Sequence, residues 1–147
     1  MSWLQVLVAC SHTPRRTALV EILAQCGLEP LIAADTSEIA AVLGGRPVHL
    51  VFCEDSLPEG GYREVLRITK AIGSGVPVVV CSPLGELDRY LEAMELGAFD
   101  FVAPPYRRAE VEAIVNAVRR DSMANHMGGT PPPIQAGTAC LKNKAVA

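Results

Sequence analysis

The 147-residue sequence contains no apolar run approaching the ~20 residues that a membrane-crossing helix needs. Residues 1–10 carry neither the basic start nor the cleavage site of a secretory signal, so a cytoplasmic location with no membrane partner is expected. No C-x-x-C pair occurs, and the cysteines (Cys10, Cys26, Cys53, Cys81 and Cys140) are odd in number, which points to reduced thiols rather than a disulfide frame or a zinc site. A large excess of either charge is lacking as well. The formal balance is -3, the arginine pairs at 15–16, 107–108 and 119–120 are scattered, and no basic block is interleaved with aromatics, which argues against nucleic acid as a partner. Neither G-x-G-x-x-G nor G-x-x-x-x-G-K follows the first apolar run, where "CSHTPRR" stands instead, so nucleotide binding of the dehydrogenase or NTPase kind is not expected. Ser11 beside His12 is no triad, because adjacent residues seldom face each other and no orienting acid is apparent.

What the sequence does have is alternation. Short, largely β-branched runs, "LQVLVAC", "EPLIAA", "VHLVFC", "VPVVVC" and "AFDFVA", read as strands covered on both faces. Between them the apolar period lengthens to that of helices: Leu19, Ile22, Leu23, Cys26; Ile39, Val42, Leu43; Val65, Ile68, Ile72; Leu87, Leu91, Met94; and Val111, Ile114, Val115, Val118. Asp35 with Glu38 resembles a capping box, Pro14 suits a first helical turn, and Gly27, Gly44, Gly73 and Gly97 stand where helices should stop. The product is an α/β domain of (βα)5 type, a five-stranded parallel sheet of expected order 2-1-3-4-5. Residues 1–120 form that domain. Residues 121–147, with a Gly pair and consecutive prolines, read as a disordered tail or linker.

In such a sheet the crevice lies beyond the carboxyl ends of the first and third strands, where successive connections diverge. The loops after Cys10 and at Glu54 meet there. The stretch "VFCEDSLPEGG" therefore occupies the likeliest functional place, and it raises the question of whether Glu54 or Asp55 is a working carboxylate. Cys53 and Cys81 each precede a residue taken to face the crevice, so alternation directs them away from Cys10 and they are expected to be apolar filler. Cys10, near Arg15 and a helix start, is a candidate for a lowered thiol pKa.

Over about residues 4–120 the sequence resembles the receiver domains of bacterial two-component response regulators, which have the flavodoxin-like (βα)5 fold. The resemblance rests on "LVFCEDSLPEGGYREVLR" and "VPVVVCSPLGELDRYLEAMELGAFDFVAPPY" together with their spacing. It implies a phosphorelay site: a third-strand Asp that takes a phosphoryl group, an acidic pair after the first strand that helps hold Mg²⁺, and a fourth-strand Ser/Thr and a Lys before a Pro that hold the phosphate. A carboxylate attacking a phosphoryl group meets like charge, which the metal and the lysine must offset.

The Leu57-Pro58 step sets the phosphoacceptor position at Glu54 and leaves Asp55 one residue on. The acidic pair falls on Cys10 and Ser11, the lysine on Pro104, and only Ser82 keeps its family identity, with Pro83 after it. The resemblance thus implies a degenerate receiver: no enzyme, no cofactor, no metal, and a crevice of Cys10, Ser11, Glu54, Asp55, Ser82 and Pro104. Glu54, one methylene longer than Asp, is expected either to lock the domain through a charge-assisted hydrogen bond to Ser82 or to loop amides, or to point into water. Phe101, the fifth-strand aromatic, is expected to lie inward, and the Pro104-Pro105 bond to be cis. The expected partners are signalling proteins, or a second copy of the chain, on a face of the fourth helix, fifth strand and fifth helix that includes Tyr90, Phe101, Tyr106, Arg107 and Arg108. Two alternatives stand beside this one: a conventional phosphoacceptor using Glu54 or Asp55, and a small-ligand sensor in the crevice.

Overall fold

The computed structural model describes residues 4–58, 60–72, 75–82 and 87–126. Five strands make one parallel sheet: β1 (Val6–Ala9), β2 (Leu31–Ala33), β3 (Leu50–Glu54), β6 (Val78–Cys81) and β7 (Asp100–Val102). Two-residue strands β4 (Ser56–Leu57) and β5 (Gly60–Gly61) form a small antiparallel hairpin that the sequence pattern does not reveal. The sheet order is β2-β1-β3-β6-β7, which is the expected order once the hairpin is passed over. Helices α1 (Thr13–Gln25), α2 (Thr36–Gly45), α3 (Tyr62–Ile72), α4 (Leu87–Glu95) and α5 (Arg108–His126) complete the alternation.

Successive side chains of a strand point to opposite faces, and that rule sorts the core into two halves. Leu7, Ala9, Val51, Cys53, Val78, Val80 and Phe101 pack with Ile39, Leu43, Val65, Leu66 and Ala93 of α2, α3 and α4. Val6, Val8, Leu50, Phe52, Val79, Cys81 and Val102 pack with Leu19 and Leu23 of α1 and with Val111, Ile114, Val115 and Val118 of α5. β1, β3 and β6 are buried along their whole length, as continuous apolar runs in a doubly covered sheet must be.

Local signals hold at several helix ends. The Asp35 side chain accepts from the Glu38 amide at 2.9 Å, and Glu38 Oε1 reciprocates on the Ala34 amide at 2.7 Å. His12 caps α1, its Nδ1 accepting from the Arg15 amide at 3.3 Å, with Pro14 in the first turn. Gly27 and Gly97, at φ +82° and +103°, stop α1 and α4 in the left-handed region that glycine enters without steric penalty. Gly73, Pro83 and Cys140 lie outside the described residues.

Three expectations are corrected. The stripe of α3 keeps the expected Val65 and partly buried Ile68 but adds Tyr62, Leu66 and Thr69, with Ile72 42% exposed; that of α4 keeps the expected Met94 and adds Tyr90 and Ala93, with Leu91 46% exposed. Polar Tyr62 and Thr69 take inward places in α3 because each finds a partner there: the Thr69 hydroxyl donates to the Leu66 carbonyl at 2.9 Å, and the Tyr62 hydroxyl donates to Glu92. Helix α5 also continues past Arg120 to His126. No glycine or proline interrupts residues 121–126, and extending a formed helix requires no new nucleus. The remainder of the expected tail, 127–147, lies outside the described residues.

Candidate functional site

The carboxyl ends of β1, β3 and β6 and the starts of α1 and α4 converge on two acids that the chain places side by side and the sheet sends apart. Glu54 ends β3 in register with Cys81, so its side chain leaves on the α1/α5 face with Phe52 and Cys81. It is 6% exposed. Its Oε1 accepts from the Ser11 amide at 3.3 Å and from the Ser11 hydroxyl at 3.1 Å; its Oε2 lies 3.5 Å from the Cys10 thiol and 3.0 Å from Arg15 Nη1. Arg15 stands on the first turn of α1, where its Nε also donates to the capping His12 Nδ1 at 3.1 Å. Both oxygens of Glu54 are thus engaged by the β1–α1 loop, and a guanidinium supplies the counter-charge.

Asp55 leaves on the other face. The Ser82 hydroxyl donates to its Oδ2 at 3.2 Å, and Arg89 Nη1, from α4, donates to the same oxygen while lying 3.4 Å from the Ser82 oxygen. The Asp55 amide donates to the Cys81 carbonyl at 2.8 Å, and the Ser82 amide to the Val102 carbonyl at 3.0 Å, which fixes both residues to the sheet edge they extend.

Of the alternatives for Glu54, the bond to a loop amide is met at Ser11, whereas the bond to Ser82 and the pose into water are corrected: Glu54 is buried, and Asp55 is the acid that Ser82 meets. The divergence of the two acids was right, but the pairing of Glu54 with Cys81 puts Ser82 one residue out of phase with Glu54 and in phase with Asp55. The same phase brings Cys81 onto the face of Cys10, contrary to expectation, while Cys53 sits in the other half of the core. Cys10 is no activated thiol. Burial pushes it up, and the Glu54 charge adds to that, outweighing the opposing pull of the His12 backbone and Arg15. Burial likewise raises Cys81 to about 12 and Cys53 well above its ordinary value.

Of the expected contact face, Phe101 is 4% exposed and meets Tyr90 edge-to-face, ring centres 5.7 Å apart. Tyr106 packs half-buried on the α1/α5 side of the core with its hydroxyl against the Cys81 thiol, and burial drives it up strongly. These rings are packing groups. Arg107 and Arg108 are exposed. The Pro104-Pro105 bond is cis, and proline at 104 brings no cation to the end of β7.

Sequence reading missed Arg89 altogether and saw Arg15 only as a neighbour of Cys10. No local signal could have found Arg89, because it meets Asp55 only once α4 is set beside β3.

A receiver's Mg²⁺ does not fit this donor set. Divalent hard ions want several anionic or carbonyl oxygens; here a thiol and a hydroxyl stand where the resemblance puts an acidic pair, and Arg15 holds the Glu54 carboxylate. Among the described residues no group of three or more His, Cys, Asp or Glu is placed to hold a metal, and no helix is long and apolar enough to cross a membrane.

No protein-family model matches the chain. It is similar to the phosphate regulon transcriptional regulatory protein PhoB of Pseudomonas aeruginosa, 27% identical over 138 residues, covering 92% of this chain and 59% of that protein. The chain therefore spans about three-fifths of that relative's length. Its fold matches the receiver domain of Francisella response regulator 1452, with TM-score 0.72 and 18% identity over 80% of this chain and 98% of that one. It matches the receiver domain of NtrX from Brucella abortus with TM-score 0.71 and 24% identity, covering 77% of this chain and 96% of that one.

Proposed function

We propose that this chain, a receiver domain of the response-regulator kind in fold and relatives, serves two-component signalling in the cytoplasm without taking a phosphoryl group itself, as a protein-protein interaction module rather than an enzyme. The observation that carries the reading is the Arg15–Glu54 ion pair at 3.0 Å, in a crevice whose acidic pair has become Cys10 and Ser11. In a working receiver the carboxylate must be free to attack and a divalent cation must neutralise the incoming phosphate. Here the acid at the phosphoacceptor position is bonded on both oxygens, its counter-ion is covalently part of the chain, and proline stands at the lysine position.

The second acid is occupied too. Asp55 binds Ser82 and Arg89, so the serine that would otherwise contact a phosphoryl oxygen is already drawn to a carboxylate. An acidic side chain of the chain itself thus takes the place at Ser82 that a phosphoryl oxygen would take. Phe101 is inward in the same state, which supports a fixed rather than switched contact face.

Incubation with a small acyl phosphate and Mg²⁺, followed by intact-mass measurement, tests this. The expected result is an unchanged mass. A phosphoryl adduct on Glu54 or Asp55, abolished by Glu54→Gln or Asp55→Asn, overturns it.

A further inference from the structure

At the β2 edge of the sheet one residue offers both an apolar side chain and an open backbone. Ile32 is 42% exposed. The Cys10 amide donates to the Ala33 carbonyl at 3.1 Å, so Ala33 turns its backbone toward β1 and, by alternation, Ile32 turns its N–H and C=O outward. The neighbouring outward positions are accounted for: the Ala34 amide donates to Glu38 Oε1 at 2.7 Å, and Pro30 has no N–H. Among the described residues β2 pairs with β1 alone, and the Ile32 amide has no partner. Such an edge is a template for a further strand. Charge decides what kind of strand. Between Arg16 and Arg46 the chain carries Glu21, Glu29, Asp35 and Glu38 and no lysine or arginine, and the last three flank β2. A second copy paired antiparallel about Ile32 would set Glu29 against Asp35, like charge on like. Residues 127–147 hold Lys142 and Lys144 and no acid, with Leu141 just before them. The other exposed apolar residues have no such complement: Ile72 ends a helix that carries Arg63, Arg67 and Lys70, and Leu91 sits between Arg89 and Glu92.

We propose that residues 138–144, Thr-Ala-Cys-Leu-Lys-Asn-Lys, add to β2 of the same chain as a further strand and close this edge against other chains. Leu141 lies beside Ile32 on the α1 side of the sheet. Alternation then turns Lys142 and Lys144 to the opposite side, where α2 begins behind its cap Asp35 with Glu38 in the first turn. The reach is sufficient. Helices α1 and α5 pack on one face, and both end where the strands begin, because each returns from a strand's carboxyl end. At helix spacings of 8–10 Å the β2 edge stands about 20 Å from the end of α5, and residues 127–140 cover more than that at ~3.3 Å per extended residue.

Amide hydrogen exchange by NMR on the full chain tests it, comparing the parent with Leu141→Asp and with the double variant Lys142→Glu/Lys144→Glu. Both variants change residues outside the core, so the fold itself is not at stake. A hydrogen bond of ordinary strength corresponds to about tenfold faster exchange when lost. That increase is expected at the Ile32 amide in both variants, with the amides of Val51–Cys53 in β3 unchanged and the parent's Ile32 rate independent of protein concentration. An Ile32 amide that exchanges as fast in the parent as in the variants overturns the proposal. So does protection that neither variant removes, which would mean another cover, and so does protection that fades on dilution, which would assign the strand to a second copy. An equal acceleration in β3 would mean general destabilisation and overturns it as well. None of these readings depends on whether the crevice takes a phosphoryl group.

Discussion

Glu54→Gln isolates the charge from the shape of the crevice. Glutamine keeps a carbonyl oxygen that can accept from the Ser11 amide and hydroxyl, now 3.3 and 3.1 Å from Oε1, but it leaves Arg15 without an anion. Removing one partner of a fully buried ion pair costs about 3–5 kcal/mol. Arg15 is 28% exposed and can recover water, which brings the expected loss down to about 1–2 kcal/mol. For a domain of this size that is a fall in Tm of roughly 4–10 °C. Urea unfolding followed by far-UV circular dichroism measures it, and the double variant Glu54→Gln/Arg15→Met supplies the decisive comparison. With both charges gone no buried charge is uncompensated, so the double variant should regain about 1 kcal/mol over the single one. If Glu54→Gln is as stable as the parent, or if the double variant is no more stable than the single, the pair is not the internal counter-ion described above.

Other expectations follow from the same geometry. Phe101→Ala should lose about 3–5 kcal/mol in urea unfolding, because it empties a buried site and removes the edge-to-face contact with Tyr90; a loss below about 1 kcal/mol would show that the ring is not part of the core. The Cys81 thiol, raised from 9.0 to about 12, favours the folded state in its neutral form: that contribution is complete below pH 9 and disappears as pH rises from 9 toward 12, since the unfolded thiol ionises first. Unfolding free energies from urea titrations should fall over that range by up to about 1.4 kcal/mol per pH unit for this group, and the slope should be shallower in Cys81→Ala. Leu91→Asp, at an outward position of α4, should change stability by no more than about 0.5 kcal/mol while weakening any self-association seen by sedimentation; unaltered association would move the contact face off this side of α4.

The strands could be read because continuous β-branched runs have few other homes than a doubly covered sheet, and α1, α2 and α5 because their apolar stripes are uninterrupted. α3 and α4 were misread for one reason: their inward places are filled partly by Tyr62, Thr69 and the small Ala93, while Ile72 and Leu91 face out, so apolarity stopped marking the buried side. The crevice members were legible from position, but their pairing was not. Which acid meets Ser82 depends on the register of β3 against β6, a long-range fact that puts Glu54 opposite Cys81. Arg89 stayed hidden because its role arises only once α4 is set beside β3, and local sequence holds no record of that approach. The Arg15–Glu54 ion pair could not be read either, because it depends on both the rotation of α1 and the face from which Glu54 departs.

The central claim is that a guanidinium of the chain itself occupies the electrostatic role of a divalent metal. Paramagnetic broadening by Mn²⁺ in amide NMR spectra tests it most directly, since the ion reports contact residue by residue and is an oxygen-seeking surrogate for Mg²⁺. The account predicts no saturable broadening centred on Cys10, Ser11 and Glu54 in the parent chain at millimolar ion, and its appearance when Cys10→Asp, Ser11→Asp and Arg15→Ala are combined. Saturable micromolar broadening at those three amides in the parent chain would contradict it.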